Sequence, residues 1–306
     1  MTHNVGKRVF ISYSHAQGAW VRDRLYPVLR AGGAEVLIDV KRFQAGVAVY
    51  QQMDATQDQA EVHLLVLSPD YLASAPCLHE MKRAIATDPT FAAGRVVPVF
   101  RVACPIPPEI KGPNPLYIGL EDDSEEGPWD LLTKGCGVDL GASAAEWLGA
   151  RELVRDFLID GQSVNLFVSG KPNHRALFEQ LREDLRELAI IDLASGATAG
   201  RQNLISEILT QLGSHSAAGK PPRDLLDLDR FVKASPGQVR VAFQHFDVMA
   251  RRASSYTGDF FDALRHLVDQ RKLALLIESR APFVSFLPAG NSLSTIQAKT
   301  VELRGR

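Results

Sequence analysis

Residues 62–81 read VHLLVLSPDYLASAPCLHEM, and this stretch decides the fold of the first part of the chain. The apolar run from Val62 to Leu67 predicts a buried strand. Ser68 and Pro69 predict a helix start, because a serine hydroxyl can cap a helix and proline suits its first turn. The segment 74–76, Ser-Ala-Pro, repeats this signal. The pattern therefore indicates a buried strand followed by two helices.

Glu80 is the candidate catalytic residue within this stretch. It falls in the first turns of the second helix, beside the carboxyl end of the strand, where open α/β sheets place their ligand crevices. A carboxylate at this place can act on a ligand, or it can simply complement the positive end of the helix dipole. The residue alone leaves both roles open.

The residues on either side alternate between strand and helix patterns. Val9 to Tyr13 and Val36 to Val40 predict strands, and Trp20 to Leu29 predicts a helix between them. Val96 to Val99 predicts a fourth strand and Leu116 to Leu120 a fifth. Because strand and helix alternate, the sequence predicts a parallel, doubly wound α/β sheet.

Three blocks of this region, in the right order, resemble a TIR domain. They are the strand end 10–14 (Phe-Ile-Ser-Tyr-Ser), the loop 39–46, and the run 67–80 that ends in Glu80. The resemblance covers about residues 7–120 and implies a flavodoxin-like fold. Some TIR domains cleave NAD+ at the nicotinamide–ribose bond, and their catalytic glutamate matches Glu80. Others only self-associate.

The resemblance implies a substrate pocket around Glu80. NAD+ cleavage passes through an oxocarbenium-like ribose, which one ionised carboxylate aimed into the crevice can stabilise without a metal. No metal site is therefore expected, and NAD+ enters as substrate. The predicted substrate-binding residues are Phe10, Tyr13, Ser14, Asp39, Lys41, Arg42, Gly46 and Ser74.

Several of these residues also have a structural interpretation. The two aromatic residues can pack in the core, Asp39 can orient a turn, and Ser74 can cap the Glu80 helix. The two basic residues can lie on a solvated face. Pro76 takes the position where many TIR enzymes carry tryptophan, so a stacking surface is missing there.

An acidic, turn-rich segment at residues 121–128 predicts a break in the chain. Strand patterns at Val164 to Gly170, Ala189 to Leu193, Val239 to Phe243 and Leu273 to Ile277 follow it, with an amphipathic helix from Arg175 to Leu188. The predicted organisation is a TIR domain at 1–122, a linker and connecting helix at 123–150, and a second α/β domain at 151–306.

The second domain resembles an AAA- or STAND-type NTPase core in layout but not in chemistry. Gly170 matches the first glycine of a phosphate loop, but Ala176 and Leu177 stand where the lysine and the hydroxyl belong. Gln244 stands where a magnesium-binding acid would follow the strand. The fold class predicted is therefore α/β, with two doubly wound domains: a flavodoxin-like TIR domain and a P-loop-NTPase-like domain without its nucleotide motifs. These departures argue against magnesium–ATP hydrolysis.

Length and composition suit a two-domain protein of ordinary polarity. The chain has 306 residues, of which 45% are hydrophobic and 23% charged, and its formal net charge is −2. The absence of a basic excess argues against nucleic acid and membranes as partners, and no apolar run reaches the roughly 20 residues of a membrane span. The 3 cysteines are widely spaced, which favours the reducing cytoplasm.

Two functions fit these residues. The first is an NAD+ hydrolase activated by oligomerisation, acting in bacterial antiphage immunity. TIR–TIR and C-terminal domain contacts would hold its homo-oligomer, and a protein trigger would start its assembly. The alternative is a non-catalytic TIR module that self-assembles and signals through partners, in which Glu80 is structural.

Overall fold

The computed structural model describes residues 6–38, 54–185, 187–213, 224–252, 256 and 258–306. The chain divides into two compact units, Met1–Leu148 and Gly149–Arg306. Each unit contains its own sheet of parallel strands, five in each among the described residues. The predicted α/β class with two separate sheets is confirmed.

The first sheet is built from short strands with a buried centre. Its members are β1 (Arg8–Tyr13), β2 (Glu35–Leu37), β3 (Val62–Leu67), β4 (Val96–Phe100) and β5 (Ile118–Gly119). They lie in the order β2-β1-β3-β4-β5. Every residue of β3 is buried, as its apolar run predicts for a strand covered on both faces.

The helices of this part of the chain include two that begin at the predicted serine caps. Ser68 Oγ accepts from Tyr71 N at 3.1 Å, and Ser74 Oγ accepts from Cys77 N at 3.4 Å. Residues 54–57 are also helical. The labelled helices are α1 (Gly18–Trp20), α2 (Tyr26–Ala31), α3 (Pro69–Ala73), α4 (Ala75–Thr87), α5 (Pro108–Lys111), α6 (Glu126–Cys136) and α7 (Ala144–Ile159), and a π-helical turn, Val21–Leu25, joins the first two.

The segment predicted as a linker, 123–150, differs in the structure. Helix α6 packs against β4, β5 and α2, and the first unit extends to Leu148. Trp129 is fully buried and stacks on Trp20, with ring centroids 6.2 Å apart. Trp129, Leu132 and Cys136 form a buried stripe at helical spacing. The acidic residues just before this stripe favoured the linker interpretation.

The second sheet contains one strand that the sequence pattern did not reveal. Its strands are β6 (Ser163–Ser169), β7 (Leu188–Asp192), β8 (Val239–Gln244), β9 (Leu273–Ser279) and β10 (Ala298–Arg304), in the order β10-β6-β9-β8-β7. Strand β10 was not predicted, because it lies at an edge and buries only Val301 and Leu303.

The helices of the second unit surround a continuous apolar core. Phe243, Phe260 and Leu275 are among its buried members. The helices are α8 (His174–Asp184), α9 (Arg201–Gln211), α10 (Leu225–Ala234), α11 (Met249–Arg252) and α12 (Gly258–Asp269). Within the described parts of both units, no helix combines the length and hydropathy that crossing a bilayer requires.

Candidate functional site

Glu80 lies in the second turn of α4 and reaches towards β1. Its Oε2 accepts a hydrogen bond from Ser12 Oγ at 2.5 Å, and Ser12 Oγ lies 2.8 Å from the Tyr71 hydroxyl. The three residues are 5%, 1% and 0% exposed, respectively. A carboxylate and two hydroxyl groups therefore form a buried polar cluster near the carboxyl end of β1.

The donors in this cluster are directed at the carboxylate. Ser12 uses its single hydroxyl proton on Glu80, so Tyr71 must donate to Ser12. Burial raises the pKa of Tyr71 well above its usual value, and the charge of Glu80 adds to this effect. Tyr71 therefore stays protonated and can donate to Ser12. The two linked hydroxyls favour the form of Glu80 that accepts a hydrogen bond.

A second contact ties α4 to the helical residues 54–57. Gln57, which is 1% exposed, donates from Nε2 to the backbone oxygen of Glu80 at 2.8 Å. On the outer side of α4, Arg83 Nη2 lies 2.6 Å from Asp58 Oδ1. Glu80 is thus fixed through both its side chain and its backbone.

The structure corrects one expectation about Glu80. Sequence reasoning aims the carboxylate into an open crevice, but the residue is buried, with 5% of its surface exposed. Ser12 Oγ donates to one of its carboxylate oxygens, and the Tyr71 hydroxyl in turn contacts Ser12 Oγ.

The other predicted site residues are placed as follows. Phe10 is 1% exposed and packs edge-to-face on His63, with Leu37 and Ala60 nearby, which is a core position. Ser74 caps α4. Asp39, Lys41, Arg42 and Gly46 lie outside the described residues.

Tyr13 and Ser14 are half-buried at the end of β1. The backbone oxygen of Tyr13 accepts from Cys77 Sγ at 3.6 Å, which brings it next to the start of α4. Ser14 Oγ accepts from Ala16 N at 3.4 Å and caps a short 3-10 turn. Their roles in binding substrate remain predictions.

Sequence reasoning missed Ser12, Tyr71 and Gln57. The alternation of a strand provides a signal for Ser12, since Phe10 and Ser12 lie on the same face of β1. Tyr71 and Gln57 carry no comparable signal, because only the packing of α3 and of residues 54–57 brings them to Glu80.

In the second unit, Gly170 follows β6 with a φ of +70°. A Cβ at this position would lie 2.7 Å from the backbone oxygen of Gly305, and Gly305 N donates to Ser169 O at 2.7 Å. Close backbone packing therefore explains this glycine. Ala176 and Leu177 are buried apolar residues in the first turn of α8.

Comparisons with known proteins found one matching family model and several similar solved structures. A family model described as TIR domain matches residues 9–132. A search of curated proteins found no match. Among solved structures, the TIR domain of a Toll-related receptor from Hydra magnipapillata is 17% identical and aligns with a TM-score of 0.37, covering 42% of this chain and 97% of that chain.

Two further solved structures are also similar to part of the chain. The ORC2 protein of Aeropyrum pernix is 13% identical with a TM-score of 0.39, covering 53% of this chain and 47% of that chain. A Walker-type ATPase of Pyrococcus abyssi is 13% identical with a TM-score of 0.36, covering 51% of this chain and 52% of that chain. The chain thus spans about half the length of these two proteins. The part of the chain that carries Ser12, Tyr71 and Glu80, residues 9–132, is a TIR domain.

Proposed function

We propose that the TIR domain cleaves NAD+ at the nicotinamide–ribose bond, with Glu80 as the catalytic carboxylate. The hydrogen bond from Ser12 to the buried carboxylate of Glu80 is the observation that carries this proposal. Burying a carboxylate costs free energy, and an apolar residue could join α4 to β1 without that cost. A buried ionisable group in a TIR domain, held by the Ser12 hydroxyl, is therefore better explained by chemistry than by packing.

In this mechanism the Glu80 carboxylate holds the ribose hydroxyls and stabilises the positive charge that develops on the ribose. The glycosidic bond breaks, and its electron pair passes to the cationic ring nitrogen of nicotinamide. Water then attacks the ribose and releases a proton, which gives ADP-ribose. Attack by an adenine nitrogen in place of water gives a cyclised product. Ser12 and Tyr71 act as positioning residues.

The burial of Glu80 makes this activity conditional. A site that is open in only a small fraction of molecules binds substrate with an affinity reduced by that fraction. In the proposal, assembly of TIR domains raises the open fraction. A homo-oligomer held by TIR–TIR and C-terminal domain contacts is the active form. A protein trigger in the bacterial cytoplasm starts assembly, and the depletion of NAD+ serves antiphage defence.

The test is NAD+ consumption by the concentrated full chain, compared with Glu80→Gln and Glu80→Ala. Loss of one group that stabilises the transition state typically lowers turnover by about 100- to 1,000-fold. Asp88→Asn is the matched control, because Asp88 is also 5% exposed, ends the same helix, and accepts from Ala93 N and Arg95 N. It should lose stability but keep its turnover per folded molecule. Equal, slow consumption by the wild type and both Glu80 variants would reject the proposal.

A second candidate function is a non-catalytic, self-assembling TIR module. The contacts of Glu80 with Ser12 and Gln57 favour it, because they also join α4 to its neighbours as a structural residue would. This function predicts that the wild type assembles without consuming NAD+, and that Glu80→Gln lowers the melting temperature. Light scattering and the NAD+ assay on the same samples distinguish the two functions.

A further inference from the structure

The second unit brings two histidines and a glutamate together at the carboxyl edge of its sheet. We propose that His174, His245 and Glu278 bind a divalent transition-metal ion, and that Zn²⁺ is the ion that fits best. One ligand atom from each residue lies within 4.8 Å of those of the other two. This site is separate from the proposed NAD+ chemistry, because all three residues belong to the second unit.

The topology of the sheet explains the meeting of residues so distant in sequence. His174 opens α8 after β6, His245 directly follows β8, and Glu278 is the penultimate residue of β9. Strand β9 lies between β6 and β8, and the carboxyl ends of parallel strands share one edge. The carboxylate is 2% exposed and the imidazoles are half-buried, so an ion can enter from the side of the histidines.

Both imidazoles are held through Nδ1, which leaves Nε2 as the ligand atom of a neutral ring. His245 Nδ1 lies 2.8 Å from Asp192 Oδ1, and His174 Nδ1 lies 3.2 Å from the backbone oxygen of Pro172. Both partners are acceptors, so each Nδ1 carries a proton and a neutral ring keeps its lone pair on Nε2. Metal-binding histidines almost always donate their other N–H to a carboxylate or a backbone carbonyl. Asp192 is itself oriented by Ala194 N at 2.8 Å.

The backbone at His245 supports the same conclusion. Its φ is +57°, a left-handed conformation that is uncommon for a residue other than glycine. This conformation accompanies a hydrogen bond of 2.6 Å from His245 N to Glu278 Oε2. The turn thus places the imidazole and the carboxylate side by side, and strained backbone of this kind concentrates at functional sites.

The donor set selects the class of ion. Mg²⁺ and Ca²⁺ prefer oxygen ligands, whereas imidazole nitrogens with one carboxylate suit Zn²⁺ and related transition metals. Zn–N bonds of about 2.0–2.1 Å place tetrahedral ligand atoms roughly 3.4 Å apart, so binding must draw the three groups closer together. Three protein ligands leave a fourth position for water or an anionic oxygen.

The test is Zn²⁺ binding by the full chain after removal of metals, measured in competition with a chromophoric chelator. We expect one Zn²⁺ per chain, a rise in melting temperature, and a visible absorption band when Co²⁺ replaces Zn²⁺. His174→Ala and Glu278→Gln should weaken binding more than about 100-fold, and Asp192→Asn, which changes only a positioning residue, by about 10- to 100-fold.

His266→Ala is the matched control, because it removes an exposed histidine of α12 that contacts Gln270. It should bind Zn²⁺ as the wild type does. Since His174 is half-buried, His174→Ala should fold, and circular dichroism checks this. Equal affinity in the wild type and His174→Ala would mean that scattered surface groups hold the ion, and would overturn the proposal. A wild type without saturable Zn²⁺ binding would overturn it as well.

Discussion

At the scale of single residues, His63 is a buried histidine whose ring nitrogens have no hydrogen-bond partner within the described part of the chain. It is 1% exposed. Burial, followed by the charge of Arg95, lowers its pKa to about 4. In the unfolded chain a histidine has a pKa of about 6.5, so the unfolded state binds more protons as the pH falls between these values.

We therefore expect the free energy of unfolding to lose a contribution of about 3 kcal/mol from His63 as the pH falls. This contribution is complete above about pH 6.5 and is lost as the pH approaches 4. His63→Leu removes the titrating group and should flatten this dependence. Urea unfolding across the same pH range measures the effect. His15→Leu, which removes an exposed histidine, should keep the wild-type slope. An unchanged slope in His63→Leu would contradict the assignment.

The hydroxyl chain at Glu80 gives a second prediction at this scale. Ser12→Ala removes the donor to Glu80 and leaves the Tyr71 hydroxyl buried without its acceptor, so we expect a loss of about 1–3 kcal/mol in the free energy of unfolding. Adding Tyr71→Phe removes the hydroxyl that has lost its acceptor. The double variant should therefore lose less free energy of unfolding than the two single variants lose together. Strict additivity in this thermodynamic cycle would show that the two hydroxyls act independently.

At the scale of elements, the cap of α4 separates two roles for Ser74. Ser74→Ala should cost about 1 kcal/mol, because the Cys77 N–H loses its acceptor. Ser74→Asp retains a capping oxygen and adds a charge that suits the helix dipole, so it should keep the wild-type stability. If Ser74 also binds substrate, the new carboxylate will repel the NAD+ phosphates and raise KM. An unchanged melting temperature with an unchanged KM would mean that Ser74 only caps the helix. An unchanged melting temperature with a raised KM would mean that it also binds substrate.

Elements with a strong local pattern were predictable from the sequence, and those fixed by distant contacts were not. Strand β3 and the starts of α3 and α4 follow from one apolar run and two serine caps. Strand β10 buries few of its residues, so its apolar pattern is weak. Helix α6 has buried residues at helical spacing, but it directly follows an acidic run that is typical of a linker.

The same distinction holds for the sites. The place of Glu80 after a buried strand is enough to make it a candidate residue. Its partner Ser12 is 68 positions away, and no spacing rule connects them. The cluster of His174, His245 and Glu278 depends on strand order, so no spacing in the sequence pointed to a metal there.

At the scale of the whole molecule, the proposed NAD+ cleavage depends on how many chains are assembled. Turnover per chain should therefore rise with protein concentration, because mass action favours the active oligomer. A dilution series, with light scattering on the same samples, relates activity to the size of the particle. Constant turnover per chain over a range in which the particle size changes would remove assembly from the proposal.

The position of β6 between β9 and β10 has a consequence for biosynthesis. In the first sheet, β1 gains both neighbours soon after it emerges from the ribosome, since β2 and β3 follow it closely. Strand β6 must instead wait for Leu273–Ser279 and Ala298–Arg304. A nascent chain that stalls before these segments carries an unpaired apolar strand, which makes it a target for chaperones and prone to aggregation.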